Sequence, residues 1–342
     1  MNSTDKMETL KPDKASNKPL KASKIIRFYA ASEMLTHLNS IIKETSGVYR
    51  ADDIEYVHRM RVGSRRMRTA LNAYEPYFTK KQVKSWKKTI RGITQILAAA
   101  RDADVQLAAL NQFYEGLEDR RLKTGINRLI LRLTQQRQKM QARLVKQLKN
   151  IQQRKSLVEI RTVLRPLALQ KSNISADYPS EMYIRAEETI ISQLDILLYH
   201  QYFISQPEMV KELHDMRLIA KEMRYLMEIF NPIYNGQLSH FIRIACKTQE
   251  MVGQIRDCDV WLEFLPKFLQ AEYKKNIKFQ GSATAYHRLT PGIQYFEKLK
   301  QQERAERYAQ FLVTWQGWAK EEQWEKLRQM IADYPLPLSE TV

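Results

Sequence analysis

Along almost the whole chain apolar residues return every three or four positions, the period of amphipathic helices rather than the alternation of strands. With glycine, proline and polar clusters as breaks, the pattern predicts helices over about 21–45, 52–76, 79–97, 102–119, 120–151 and 154–169. A second series follows over about 180–201, 207–231, 236–254, 258–276, 284–309 and 311–333. Ten glycines and eleven prolines in 342 residues leave few interruptions, so the predicted fold is all-α.

Residues repeat along with elements. VHRMRVGSRRMRTALNAYEPYF at 57–78 aligns without a gap on LHDMRLIAKEMRYLMEIFNPIY at 213–234, which sets His58 on His214, Arg61 on Arg217, Arg68 on Arg224 and Pro76 on Pro232. Some forty residues beyond each histidine a second pair follows, LAAARDADVQL at 97–107 and VGQIRDCDVWL at 252–262, shifted by one residue. Blocks in the same order at nearly constant spacing indicate an internal duplication. The expected organisation is a polar leader at 1–20, a first helical half at 21–170, a linker at 171–180, a second half at 181–333 and a short tail at 334–342.

On a helical wheel of about 100° per residue, His58, Arg61, Arg65 and Arg68 share an arc of about 80°, with Met60, Met67, Leu71 and Tyr74 opposite. The second half repeats this, with His214, Arg217, Lys221 and Arg224 on one face and Met216, Met223, Met227 and Phe230 on the other. The following helix carries Lys81, Lys84, Lys88 and Arg91 at the spacing of the histidine stripe, answered in the second half by His240, Arg243 and Lys247. Arg128, Arg132, Lys139, Arg143 and Lys146 make a looser third row. Like charges stacked at this spacing cost an isolated helix a few tenths of a kcal/mol, roughly, per pair. A ligand with many negative charges would relieve that cost, and the planar fork of arginine suits phosphate oxygens. The arginines around each histidine disfavour the imidazolium, so each ring is expected to be a neutral hydrogen-bonding partner.

Charge strengthens this picture. The chain holds 56 Lys and Arg against 38 Asp and Glu, a formal net charge of +18, and residues 51–150 alone hold 22 against 9. Such a balance points to a polyanionic partner. No apolar run reaches the length of a membrane span, and the polar start has no signal-peptide core, so the expected location is the cytoplasm. Cys246 and Cys258 are too few for a disulfide framework and lack zinc-ligand spacing, which predicts reduced thiols. No glycine-rich phosphate loop and no nucleophile–base pair is recognisable, so neither catalysis, a cofactor nor a metal is expected.

Three readings of the RDADV and RDCDV blocks stay open. Asp102, Asp104, Asp257 and Asp259 could cap helix starts. They could instead buttress the basic rows through Arg101, Arg256 or the stripe arginines, or an Asp-x-Asp pair could hold a metal ion. Trp315, Trp318 and Trp324 follow a helical pattern that predicts packing, whereas Trp86 lies beside the basic row.

Together, VHRMRVGSRRMR with RDADV and LHDMRLIAKEMRY with RDCDV resemble the CHAD family, the conserved histidine α-helical domain, over about residues 20–333. The resemblance implies two four-helix bundles related by a pseudo-twofold axis around a basic central pore or cavity. It also implies binding of inorganic polyphosphate, with association to polyphosphate granules. Carried over by position, it picks out His58, Arg61, Arg65, Arg66 and Arg68, then His214, Arg217, Lys221 and Arg224, as polyphosphate contacts; Glu222 stands where a basic residue is usual. The Glu-x-Glu-x-Lys signature of triphosphate tunnel enzymes, to which such domains can be fused, is missing, which implies the stand-alone form. The leading expectation is a non-enzymatic polyphosphate-binding module. The rivals are a nucleic-acid binder and a polyphosphate hydrolase or phosphotransferase acting through His58 or His214.

Overall fold

In the computed structural model, residues 24–170, 178–280 and 284–335 are described; the predicted leader at 1–20, most of the linker at 171–180 and most of the tail at 334–342 lie outside them. Ten α-helices follow in order: α1 Lys24–Arg50, α2 Glu55–Ala73, α3 Lys80–Glu115, α4 Arg120–Gln153, α5 Ser156–Ala168, α6 Ser180–Tyr199, α7 Val210–Phe230, α8 Ser239–Gln280, α9 Thr284–Lys320 and α10 Gln323–Ala332. The described residues form no strand, as the apolar period requires.

Local chemistry sets several boundaries. Thr79 and Gln82 form a reciprocal capping box at the start of α3, and the Asp119 carboxylate accepts the Arg121 backbone N–H at the start of α4. Elsewhere the helices run on where breaks were predicted. The expected helices 79–97 and 102–119 are one helix, α3, and 236–254 and 258–276 are one helix, α8. Nothing in 98–101 or 255–257 breaks a helix, and the Asp residues that suggested a new start lie mid-helix. The break predicted near 310 falls instead at Glu322, whose backbone is left-handed (φ 52°), as is that of Lys155 between α4 and α5 (φ 52°).

The apolar faces assigned from the wheel are buried. Met60, Met67, Leu71 and Tyr74 on α2 and Met216, Met223, Met227 and Phe230 on α7 all belong to one core, to which helices of both halves contribute. Burying a side chain of this size contributes roughly 1.5–3 kcal/mol, and these stripes fix which face of α2 and α7 points away from the core. Trp86, Trp315 and Trp324 are buried in the same core, with Trp318 packed against it. A second, smaller core joins the far ends of α3 and α4 to those of α8 and α9 through Leu110, Ile126, Leu129, Trp261, Leu265 and Ile293.

At that second core α4 and α9 cross with their backbones almost touching. A Cβ on Gly125 would run into the Leu289 carbonyl oxygen, and a Cβ on Gly292 into the Leu122 carbonyl oxygen. Glycine is the one residue that permits such an approach. Nearby, the 1 % exposed Glu272 carboxylate of α8 accepts from Arg128 and Arg132 of α4, at 2.7 Å each. These two members of the third basic row therefore clamp the halves together rather than present free charge.

Candidate polyanion site

The helices α2 and α7 lie against each other and are zipped at one end. Arg66 donates to Glu228 at 3.0 Å, and Glu222 accepts from Thr69 at 3.1 Å and Asn72 at 3.4 Å. Glu222, an acidic departure from the first-half pattern, thus serves the contact between helices. Tyr225, the aromatic residue nearest the stripes, is only 3 % exposed. Its ring lies 4.6, 5.4 and 6.0 Å from the guanidinium carbons of Arg224, Arg65 and Arg66.

Beyond this zipper the cationic faces meet. Arg61 and Arg65 of α2 and Arg217 and Lys221 of α7 are near enough for their charges to act on one another. Arg61 has Asp102 at 3.8 Å, but among the described residues no carboxylate lies within ion-pair distance of Arg65, Arg217 or Lys221. The Nε atoms of Arg61, Arg65 and Arg217 are buried without a hydrogen-bond partner, and so is Nδ1 of both His58 and His214. Each unpaired buried donor costs about 1–3 kcal/mol. The cluster is therefore poised against itself: it is held by the core below and lacks acceptors above.

Burial and mutual repulsion shift the titrations. Burial first, then Arg65, Arg217 and Arg61, push Lys221 down to about 7. Burial, with Arg61 and Arg217, brings Arg65 down to about 10 against an opposing pull from Tyr225. Both histidines are shifted below the ordinary imidazole value by burial first and then by nearby cations, Arg101, Arg61 and Arg65 for His58 and Arg256, Arg217 and Lys221 for His214. These rings are neutral at pH 7, as the crowding of arginines along the sequence predicts.

The Arg-Asp blocks do two jobs, and neither is helix capping. Asp102 and Asp104 lie inside α3, and Asp257 and Asp259 inside α8, so the capping reading is overturned: backbone N–H groups there are already used by the helix. Asp104 is gripped by Arg137 of α4 at 2.6 Å, and Asp259 by Arg304 of α9 at 2.5 Å. Arg304 also donates to the Pro207 carbonyl just before α7, at 2.7 Å. Asp102 sits near Arg61, and the exposed Asp257 lies within electrostatic reach of Arg217. Arg101 and Arg256 stand beside the histidines and join the site; Arg101 is also paired with Glu55 at 3.4 Å.

Other residues expected at the site stand apart from the cluster. Arg66 is committed to Glu228, and Arg224 to Glu228 at 3.3 Å and to the Cys246 sulfur at 3.4 Å. Lys84, Lys88 and Arg91 line an open groove of about 950 Å³ together with Arg68. Arg243 and Lys247 are exposed on α8, and His240 is tied to Gln323 of α10 at 2.7 Å. Tyr225, which the sequence sets off the buried side, is buried among the stripe arginines, and the sequence reading missed Arg137 and Arg304 as partners of the site. Their pairings cross between helices, and no local spacing signals them.

The histidine stripes and Arg-Asp blocks fall within a match to the CHAD domain, which covers residues 33–266. The chain belongs to the CHAD-domain family. The crystal structure of the CHAD domain from the plant Ricinus communis is similar over 96 % of this chain and 98 % of that one, with a TM-score of 0.57 and 19 % identity. PptA from Streptomyces chartreusis is similar over 85 % of this chain and 99 % of that one, with a TM-score of 0.53 and 12 % identity. At these identities the likeness is one of fold. No curated protein matches the chain in sequence. Among the described residues of this CHAD domain, no helix is long and apolar enough to cross a membrane.

One pH dependence follows from Lys221. Its folded pKa, about 7, lies below the ordinary lysine value of 10.5, so the unliganded fold is penalised fully below pH 7 and relieved as pH rises through that window. A bound polyanion favours the charged amine, so binding above pH 7 takes up a proton. Affinity is expected to fall between pH 7 and 9 by up to about tenfold per unit, and Lys221→Arg to flatten the profile. Calorimetry at pH 8 in two buffers of different ionisation enthalpy reads the proton uptake directly.

Proposed function

We propose that this CHAD domain binds inorganic polyphosphate without turning it over. The observation that carries this reading is the meeting of Arg61 and Arg65 with Arg217 and Lys221, the Nε of each arginine buried and unpaired and three of the four side chains without a carboxylate in ion-pair range among the described residues. A flexible chain of phosphates supplies many acceptors and charges at once, which such a cluster needs. The family's association with polyphosphate points the same way.

The basic cluster would form the floor of a central cavity between two halves related by a pseudo-twofold axis. Reciprocal details support that duplication. Gly125 and Gly292, Arg137 and Arg304, and Lys155 and Glu322 recur at one constant spacing, and each pair does the same job in its own half. Association with polyphosphate granules in the cytoplasm is the cellular counterpart of this reading.

Two rivals are disfavoured by particular side chains. Single-stranded nucleic acid is usually held by exposed aromatic faces, but Tyr74, Tyr225 and Phe230 are buried, and the ring of Tyr225 is flanked by arginines. A catalytic histidine is usually oriented by a third group, whereas Nδ1 of both His58 and His214 lacks a partner. The test is competition between RNA and long-chain polyphosphate at matched salt and phosphate concentration, with orthophosphate release followed in the presence of Mg²⁺. Polyphosphate is expected to displace RNA, and no orthophosphate to appear. Preference for RNA, or phosphate release abolished by combined His58→Ala and His214→Ala substitution, would overturn the proposal.

A further inference from the structure

We propose that polyphosphate leaves the central cluster on one side only, along the groove between α2 and α3 of the first half, and that this groove gives the domain its preference for long chains. The inference rests on the polyphosphate reading and adds a route to it.

Arg68 is the link. It is close enough to Lys221 to act on that amine's charge, and it also lines the groove of about 950 Å³ with Lys84, Lys88 and Arg91. Among the described residues none of these four cations has a carboxylate within ion-pair distance; in the same groove Glu75 neutralises Lys87 at 2.6 Å. From Lys84 to Arg91 the row spans seven residues, roughly 10 Å of helix. That length accommodates several successive phosphates. Cations therefore continue from Arg217 and Lys221, past Arg65 and Arg68, to the surface of α3, with Glu222 and Glu75 at the edges held by Thr69 and Lys87.

The second half has no such continuation. Arg224, aligned with Arg68, is engaged by Glu228 and by the sulfur of Cys246, which in turn donates to Glu250 at 3.3 Å. At the spacing of the Arg-Asp blocks Arg243 stands for Lys88, but Ser239 stands for Lys84, Cys246 for Arg91 and Glu250 for Gln95. The corresponding track thus keeps one of its three cations and is broken by two neutral residues and a carboxylate, which leaves Arg243 and Lys247 as surface charges on α8. A further flank is crossed by the α2–α7 zipper. Behind it lies a pocket of about 230 Å³ whose walls include Glu33 and Glu228, charges that repel a polyanion.

The consequence is a dependence on polymer length. A few phosphates fill the cluster alone, while a long chain also occupies the groove and gains from each further cation there. The experiment compares tripolyphosphate with long-chain polyphosphate on the full chain, in Lys84→Gln/Lys88→Gln/Arg91→Gln and in Arg243→Gln/Lys247→Gln. All five side chains are exposed, so the fold is not at stake. The ratio of long-chain to tripolyphosphate affinity is expected to fall about tenfold or more in the first variant, through lost phosphate contacts, and less than about twofold in the second. A ratio unchanged in the first variant, or lowered as much in the second, overturns the one-sided route while leaving polyphosphate binding intact. Failure of the unaltered protein to hold either polymer overturns both.

Discussion

Replacing Arg65, Arg217 and Lys221 together by methionine is expected to weaken binding of long-chain polyphosphate at least about 100-fold while leaving the melting temperature unchanged or higher. The loss follows from removing three cations whose hydrogen bonds to phosphate are charge-assisted, each contributing about 1.5–3 kcal/mol, where 1.4 kcal/mol corresponds to about a factor of ten. The stability side runs in the opposite sense. In the unliganded protein these groups are half-buried, repel one another and have no carboxylate in ion-pair range among the described residues. Apolar side chains of similar volume remove that repulsion and desolvation, which is often neutral or stabilising. Titration with polyphosphate and a thermal melt on the same samples separate the two effects. A variant that melts lower in step with its loss of affinity would mean that the cluster is structural.

The second large effect is on the fold. Glu272→Ala is expected to cost roughly 3–5 kcal/mol, because it leaves Arg128 and Arg132 part-buried beside an empty place. Glu272 is 1 % exposed, and each arginine reaches one of its oxygens at 2.7 Å, with Lys275 at 3.3 Å. Burial alone would raise this carboxyl, but hydrogen bonds from Arg132 and Arg128 hold it below the ordinary glutamate value. Its contribution is therefore present above the unfolded value and is lost as pH falls through the folded one. Denaturant unfolding at neutral pH reads the loss. A triple replacement of Glu272, Arg128 and Arg132 by methionine should recover most of it, because only the exposed Lys275 is then left without its partner. If the triple variant is as unstable as Glu272→Ala, packing rather than charge explains the site.

Much of this was legible in the sequence because it depends on short-range periodicity. The buried stripes of Met60, Met67 and Leu71 and of Met216, Met223 and Phe230 follow from residues three or four apart, and the histidines are depressed as expected, although burial and arginines of other helices do more than the stripe. The breaks misplaced inside α3 and α8 have a common cause. Aspartate is a frequent helix cap, and Asp102 and Asp257 carry no local mark that distinguishes a cap from a side chain gripped or drawn by an arginine across the bundle. The same limit hid Arg137 and Arg304, whose carboxylates lie in other helices. A third pair of matching blocks, RLKTGI at 121–126 and RLTPGI at 288–293, marks the α4–α9 crossing. Its four shared residues are too few to stand out until the glycines are seen against a carbonyl.

The zipper changes the view of the stripe most. By position Arg66 and Arg224 match polyphosphate contacts, yet both face Glu228. The free charge is thus concentrated on Arg65 and Arg68 in one half and Arg217 and Lys221 in the other. In this cluster the halves share the load, although the first half carries more of the chain's excess charge. The excess lies instead on α3 and α4, where Lys84, Lys88 and Arg91 edge the groove and Arg128 and Arg132 are spent on Glu272.

The most direct test of the account is the affinity of the unaltered full chain for long-chain polyphosphate measured across a series of salt concentrations. If Arg61, Arg65, Arg217 and Lys221 supply the binding, log affinity should fall linearly with log salt. By analogy with single-stranded nucleic acids, four neutralised phosphates give a slope of roughly −3, steeper if the groove is also filled. Absence of binding at low salt, or an affinity that does not change with salt, would contradict the account.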